Sequence, residues 1–247
     1  MASPTLRELT GMNPNPSSIS ESALVLIDCQ QTYREGIMQL VGVELALKEA
    51  ASLLKRFRAA GRPVIHIMHD AGPGTPYDVS APIGQIADIV APIEGETVVV
   101  KNYPSAFEKT ALDAELKKLG VKNVIYAGFM THMCVNSTTR ASFNHGYANT
   151  VVAGATATRS IPNPATGKDV SAEALQDASL SALGDMFAVV VPKASDVPAN
   201  GCRSSIQSSG RLRGAEALLQ IVGVHRWDDL DLGIKAHEQG LGNGGKL

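Results

Sequence analysis

Three residues of this chain have side chains suited to acyl chemistry: Asp28, Lys101 and Cys134. Each ends or follows an apolar run that needs no polar residue. Asp28 closes "LVLI", Lys101 closes "TVVV", and Cys134 comes shortly after "NVIYAGF". A thiolate is a strong nucleophile, but a free cysteine with a pKa of about 8.5 is mostly protonated at neutral pH. A helix N-terminus supplies partial positive charge and a lysine supplies a full one, and both favour the thiolate. A carboxylate can take the thiol proton and later hand it to a leaving group. Taken singly, Asp28 reads equally as a loop cap, Lys101 as a strand end leaving for solvent, and Cys134 as a small buried apolar residue. Together they bring an acid–base group, a cation and a thiol to one rim of a sheet.

Placing them there requires alternating strands and helices. Apolar runs at 23–29, 63–69, 97–101, 123–129, 149–155 and 187–192 read as strands. Amphipathic stretches at 43–61, 109–120, 133–145 and 171–186 read as helices, the first with apolar residues at Leu47, Ala50, Ala51, Leu54 and Phe57. Continuous Val/Ile/Leu runs mean strands buried on both faces. Their alternation with helices predicts an α/β fold: a three-layer α/β/α arrangement around a parallel sheet. Ligands in such sheets bind at the carboxyl ends of the strands, near the switch in strand order. In the order 3-2-1-4-5-6, Asp28 and Cys134 are neighbours. Lys101 starts two strands from Asp28, roughly 10 Å at about 4.8 Å per strand, a gap for a long side chain. The Pro/Gly-rich connection 70–96 has the length of a functional loop or lid. Residues 1–198 read as one domain with its core at about 20–195, and the polar, Gly-rich 199–247 as a tail.

The composition narrows the function. The 247 residues are 44% hydrophobic and 19% charged, with a formal charge of −2. There is no basic excess of the kind a nucleic-acid partner calls for, and no apolar run long enough to span a bilayer. The first residues lack the apolar core of a secretory signal, so a cytoplasmic location is expected. Cys29, Cys134 and Cys202 form neither a disulfide framework nor a zinc pattern, and no C-x-x-C is present. The "AGPG" at 71–74 lacks the Lys-Ser/Thr of a phosphate loop, and no G-x-G-x-x-G follows the first strand. No cofactor is expected.

The motifs "LVLIDCQQTY", "GETVVVKNYPSAFEKTALDAELKKLGVKNVIYAGFMTHMCV" and "STTRASFNHGY" resemble the isochorismatase-like cysteine hydrolase superfamily. That superfamily includes nicotinamidases, N-carbamoylsarcosine amidase and related amide hydrolases. The resemblance implies the sheet order above and an Asp28–Lys101–Cys134 triad. It also implies a cis peptide at Phe129–Met130, with the Met130 and Cys134 N–H groups forming an oxyanion hole, and a homo-oligomer, dimer or tetramer. Residues flanking the triad are candidate pocket walls: Gln30, Tyr33, Tyr103, Phe107, Thr131 and His132. For Phe107, core packing is an equal reading, and His132 could face substrate or solvent.

There are departures. The zinc-binding branch uses an Asp-x-His motif and a later His, whereas "VIHIMHDAG" offers only His66 and His69. Three apart on a strand, these point to opposite faces, so no metal is expected. His66 reads as a core or supporting residue and His69 as one at the pocket rim. Gly154 stands where relatives often have Asp, which predicts a looser loop after the fifth strand. The cysteine favours acyl chemistry over vinyl-ether cleavage by Asp and Lys alone. The leading expectation is a cysteine hydrolase of a small-molecule amide C–N bond. The alternatives are vinyl-ether or ester hydrolysis, and an inactive member used for binding or assembly.

Overall fold

The structure, a computed structural model, describes residues 3–201. Most of the stretch expected to be a tail, from 202 onward, lies outside the described residues. Residues 198 and 199 belong to the domain: the Pro198 and Ala199 carbonyls accept from the Ile19 and Ser20 N–H groups at 2.8 and 3.0 Å.

In chain order the elements are α1 (Leu6–Leu9), β1 (Ser22–Ile27), α2 (Val43–Ala59), β2 (Val64–His69), β3 (Thr97–Lys101), α3 (Leu112–Lys118) and β4 (Asn123–Phe129). They continue with α4 (Asn136–Asn144), β5 (Ala148–Ala157), β6 (Ile161–Pro162), β7 (Asp169–Val170), α5 (Ala172–Met186) and β8 (Val189–Val191). Six strands form one parallel sheet in the order β3-β2-β1-β4-β5-β8. β6 and β7 make a separate antiparallel pair, so β8 is the sixth strand of the expected order.

Every residue of β1 is buried, as continuous apolar runs require of a sheet covered on both faces. Alternation splits the strand between two cores. Leu24 and Leu26 pack with Leu47, Leu54 and Phe57 of α2. Ala23, Val25 and Ile27 pack with Leu112, Leu116, Val135 and Leu183 on the opposite face. In α2 the buried positions Val43, Ala46, Leu47, Ala50, Leu53, Leu54 and Phe57 form one helical stripe. The helix stops where Gly61 takes a φ of 60° and the Arg62 N–H reaches back to the Phe57 carbonyl, a left-handed C-terminal cap.

Gly128 fixes how closely β4 approaches β1. It pairs with Ile27 at a φ of 119°, and a Cβ there would fall on the Ile27 backbone. Gly128→Ala therefore combines backbone strain with a collision against main-chain atoms beside Asp28. It should cost about 3 kcal/mol and lower Tm by about 6–12 °C, as read from thermal unfolding followed by circular dichroism.

Two expectations need correction. The helix after β4 does not start as a regular α-helix at Met133: Thr131–Val135 form a π-helical turn, and α4 begins at Asn136. Gly154 does not loosen a loop. It lies inside β5, its N–H donates to the Pro192 carbonyl at 2.9 Å, and a Cβ would stand 2.8 Å from that oxygen. The glycine allows two backbones to meet.

Candidate active site

Asp28 is the first residue past β1. Its φ of 47° ends the strand, a conformation Asp tolerates better than most residues. Its N–H donates to the Ile67 carbonyl at 3.0 Å, and its carbonyl accepts from the Gln30 N–H at 2.8 Å. Lys101 is the last residue of β3, paired with His69 at the end of β2. Its side chain crosses β2, and Nζ stops 2.8 Å from Asp28 Oδ2 and 3.4 Å from Cys134 Sγ. The three residues that were read as a unit are thus brought together. All are buried: Asp28 is 0% exposed, Lys101 1% and Cys134 5%.

Burial sets the protonation states. It raises the Asp28 carboxyl above its ordinary range, while the Lys101 ammonium and the Cys134 thiol pull it back down. The Cys134 thiol is pushed up to about 12 by burial and then by the Asp28 charge, against the pull of Lys101. Burial and the carboxylate thus oppose the thiolate that the sequence reading favoured. The desolvated sulfur beside a carboxylate rests as a thiol, and ionising it requires transfer of its proton. Among the described residues no three His, Cys, Asp or Glu side chains gather as a metal-holding group.

The candidate pocket residues divide. Tyr33 is buried, edge-on to Phe129 at 5.7 Å and to Tyr77 at 5.8 Å, and it lies close enough to feel the Asp28 charge. The Thr131 hydroxyl is buried in the turn that carries Cys134 and has no partner among the described residues. His132 turns to β5, with Nδ1 2.5 Å from the Thr158 hydroxyl. The Phe129–Met130 peptide is cis, and the Met130 carbonyl accepts from the Met133 and Val135 N–H groups at 3.0 and 3.2 Å.

The other three candidates serve elsewhere. The Gln30 amide is spent on main chain: it donates to the His69 and Gly84 carbonyls and accepts from the His69 N–H. Phe107 stacks on His145 at 4.8 Å, beside Tyr147, in core packing. Tyr103 is exposed, with its hydroxyl taking a hydrogen bond from Lys109 at 3.0 Å. A side chain that follows a strand end in sequence is free to turn either way, so adjacency to the triad did not place these three. Cys29 is buried in the core on the α2 side, away from Cys134. His66 is buried against Glu96 at 2.8 Å, as a core histidine.

The structure places His69, read as a pocket-rim residue, against the lysine, and adds Tyr77 and Arg159, which the sequence did not single out. His69 Nδ1 lies 3.0 Å from Lys101 Nζ. Tyr77, from the 70–96 connection, stands edge-on to His69 at 5.0 Å. That connection is laced to the segment after Asp28, through Gln31 N–H to the Gln85 carbonyl and Ala87 N–H to the Cys29 carbonyl, both 2.8 Å. Arg159, just past β5, has a buried Nε with no partner among the described residues, and its charge reaches both Tyr77 and His132. No local pattern marked Tyr77 or Arg159; their signal is spatial.

Comparison with known proteins agrees with this fold. Residues 22–195 match the Isochorismatase domain family. The secreted isochorismatase effector Isc1 of Verticillium dahliae is 33% identical over 188 residues, 76% of this chain and 96% of that protein. A crystal structure of an isochorismatase (PP1826) from Pseudomonas putida KT2440 is 35% identical. It covers 78% of this chain and 99% of its own, with a TM-score of 0.76. Ureidoacrylate amidohydrolase RutB of Stutzerimonas stutzeri is 29% identical over 181 residues, 58% of this chain and 73% of that protein. With the domain match spanning most of the chain and the sheet order and neighbours in agreement, the protein belongs to the isochorismatase family of hydrolases.

Proposed function

We propose that this hydrolase cleaves an amide-type C–N bond of a small molecule through a thioester on Cys134. The observation that carries this reading is the position of Lys101 Nζ, 2.8 Å from the Asp28 carboxylate and 3.4 Å from the Cys134 sulfur. The cation makes a buried carboxylate–thiol pair tenable and offsets the charge as the proton moves. Asp28 takes the Cys134 proton, and sulfur bonds to the substrate carbonyl carbon. The oxyanion is held by the Met130 and Cys134 N–H groups. Asp28 gives the proton to the leaving nitrogen as the C–N bond breaks. Water then adds to the thioester and loses a proton to Asp28. The acid departs, and the proton returns to sulfur. The low reactivity of the resting thiol confines attack to a bound carbonyl.

The name of the RutB relative supports amide chemistry, and the family hydrolases share the fold. Tyr33 and Thr131 are the proposed pocket contacts, an aromatic wall and an unspent hydroxyl. The same reading includes self-association, supported by the exposed apolar side chains Ile37, Val41 and Leu45 and checked by light scattering. It also includes a cytoplasmic site of action, which suits the free Cys29 and Cys134 thiols. No described helix is long and apolar enough to cross a membrane.

The test is intact-protein mass spectrometry after brief incubation with pools of small primary amides, ureido acids and lactams. An acyl-sized mass increase mapping to Cys134, absent in Cys134→Ala, is the expected result. Turnover of an amide with no such adduct under rapid acid quench, and unchanged in Cys134→Ala, overturns the thioester route.

A further inference from the structure

We propose that His69 is a positioning residue for Lys101: its neutral imidazole takes one ammonium N–H at Nδ1 and so aims the other two at Asp28 and Cys134. The inference rests on the thioester reading above for its catalytic consequence, while its geometry stands alone.

An ammonium has three N–H donors and no acceptor. Lys101 Nζ has three neighbours on three elements: Asp28 Oδ2 at 2.8 Å, His69 Nδ1 at 3.0 Å and Cys134 Sγ at 3.4 Å. Every donor of a lysine that is 1% exposed is therefore accounted for. Without His69, one N–H would be left unpaired in a dry site, and the long, flexible stem would have no fixed rotation about its last bond. Because Lys101 can only donate, Nδ1 of His69 must carry a lone pair. The ring is then neutral, with its proton on Nε2.

The imidazole is itself held. Gln30 brackets the His69 main chain, accepting from its N–H at 2.9 Å and donating to its carbonyl at 3.0 Å, and Tyr77 stands edge-on to the ring. This explains why a buried Gln follows the triad aspartate. It sets the end of β2, which sets His69, which sets Lys101. The charged and titratable groups facing His69 are Lys101 on β3, Asp28 after β1, its chain neighbour Asp70, and Tyr77 in the connection. Burial and the Lys101 charge both favour the neutral ring. When acid protonates His69, it can no longer accept, and a second cation faces the ammonium. The triad then loses its alignment as pH falls through this group.

The test uses nitrogen NMR of the full-length protein labelled at histidine, with the His69 signal assigned by its loss in His69→Asn. The expected signature is an Nε2–H tautomer whose Nδ1 shift reports an accepted hydrogen bond, titrating below the ordinary histidine range of about 6.5. In Lys101→Met the same ring should titrate higher. An Nδ1–H tautomer in the wild type overturns the proposal, and that reading holds even where Lys101→Met does not fold. Kinetics on any amide found by the adduct screen add the functional arm. His69→Phe should lose about 100-fold in kcat/KM, chiefly in kcat, as misaligned groups do. His69→Asn, which offers a non-titrating acceptor near Nδ1, should stay within about tenfold and lose the histidine component of the acid limb. Equal loss in both variants with an unmoved acid limb identifies a merely structural role and overturns the proposal. A wild type that shows the NMR signature but forms no adduct on Cys134 overturns the thioester reading and leaves the Lys101–His69 contact standing.

Discussion

Asp28→Asn and Cys134→Ala should each reduce kcat/KM by about 10⁴-fold or more, with the double variant no slower than the worse of the two. Groups that act as a unit fail as a unit, so removing the second member costs little once the first is gone. The loss should fall on kcat, since neither group is needed to hold a neutral amide in place. Asparagine keeps the shape of Asp28 and its approach to Lys101, but it cannot take the proton of a thiol held near 12. The thiol therefore stays a thiol. Stopped assays on an amide from the adduct screen read the effect. Retention of most activity in Cys134→Ala, with loss in Asp28→Asn, would instead identify hydrolysis by the acid–lysine pair without the thiol.

The second large effect concerns stability. Lys101→Met keeps much of the side-chain volume but removes the cation that faces a fully buried carboxylate 2.8 Å away. Breaking a buried pair by deleting one partner costs about 3–5 kcal/mol, so Tm should fall by about 10 °C. The pH dependence fixes the cause. Burial already raises the folded Asp28 above its ordinary range, and Lys101 opposes that rise. Without Lys101 the rise is larger. A carboxyl with a raised folded pKa holds its proton better when folded than when unfolded, so its stability contribution is lost as pH rises through the folded value. The deficit of Lys101→Met should shrink as pH is lowered toward the ordinary carboxylate range near 4. Urea unfolding of both proteins over that range measures it. A deficit independent of pH would mean that lost packing, not the unpaired carboxylate, is the cause.

Much of this architecture is legible in the chain because buried parallel strands leave a strong mark. β1, β2 and β4 stand out as continuous apolar runs, and the α2 stripe recurs every three to four residues up to Gly61. The triad is legible for the same reason: a charged or thiol group at the end of such a run has no packing motive. The small β6–β7 pair left no such mark, being two residues per strand. The π-helical turn at Thr131–Val135 differs from an α-helix by where its hydrogen bonds close, which composition does not encode.

The sequence by itself determined which reactive groups reach one rim of the sheet, because polar residues at the ends of buried strands are set by local pattern. The tertiary structure alone decided what surrounds them. Gln30 turned out to brace β2, Phe107 to join the core, and Tyr103 to face solvent. His69, Tyr77 and Arg159 came to the site from separate segments. It also set the proton affinity of Cys134, since burial and the Asp28 charge raise its thiol against the lysine that, along the chain, favoured a thiolate. Burial is a property of the whole packed chain, and it sets both side-chain direction and proton affinity.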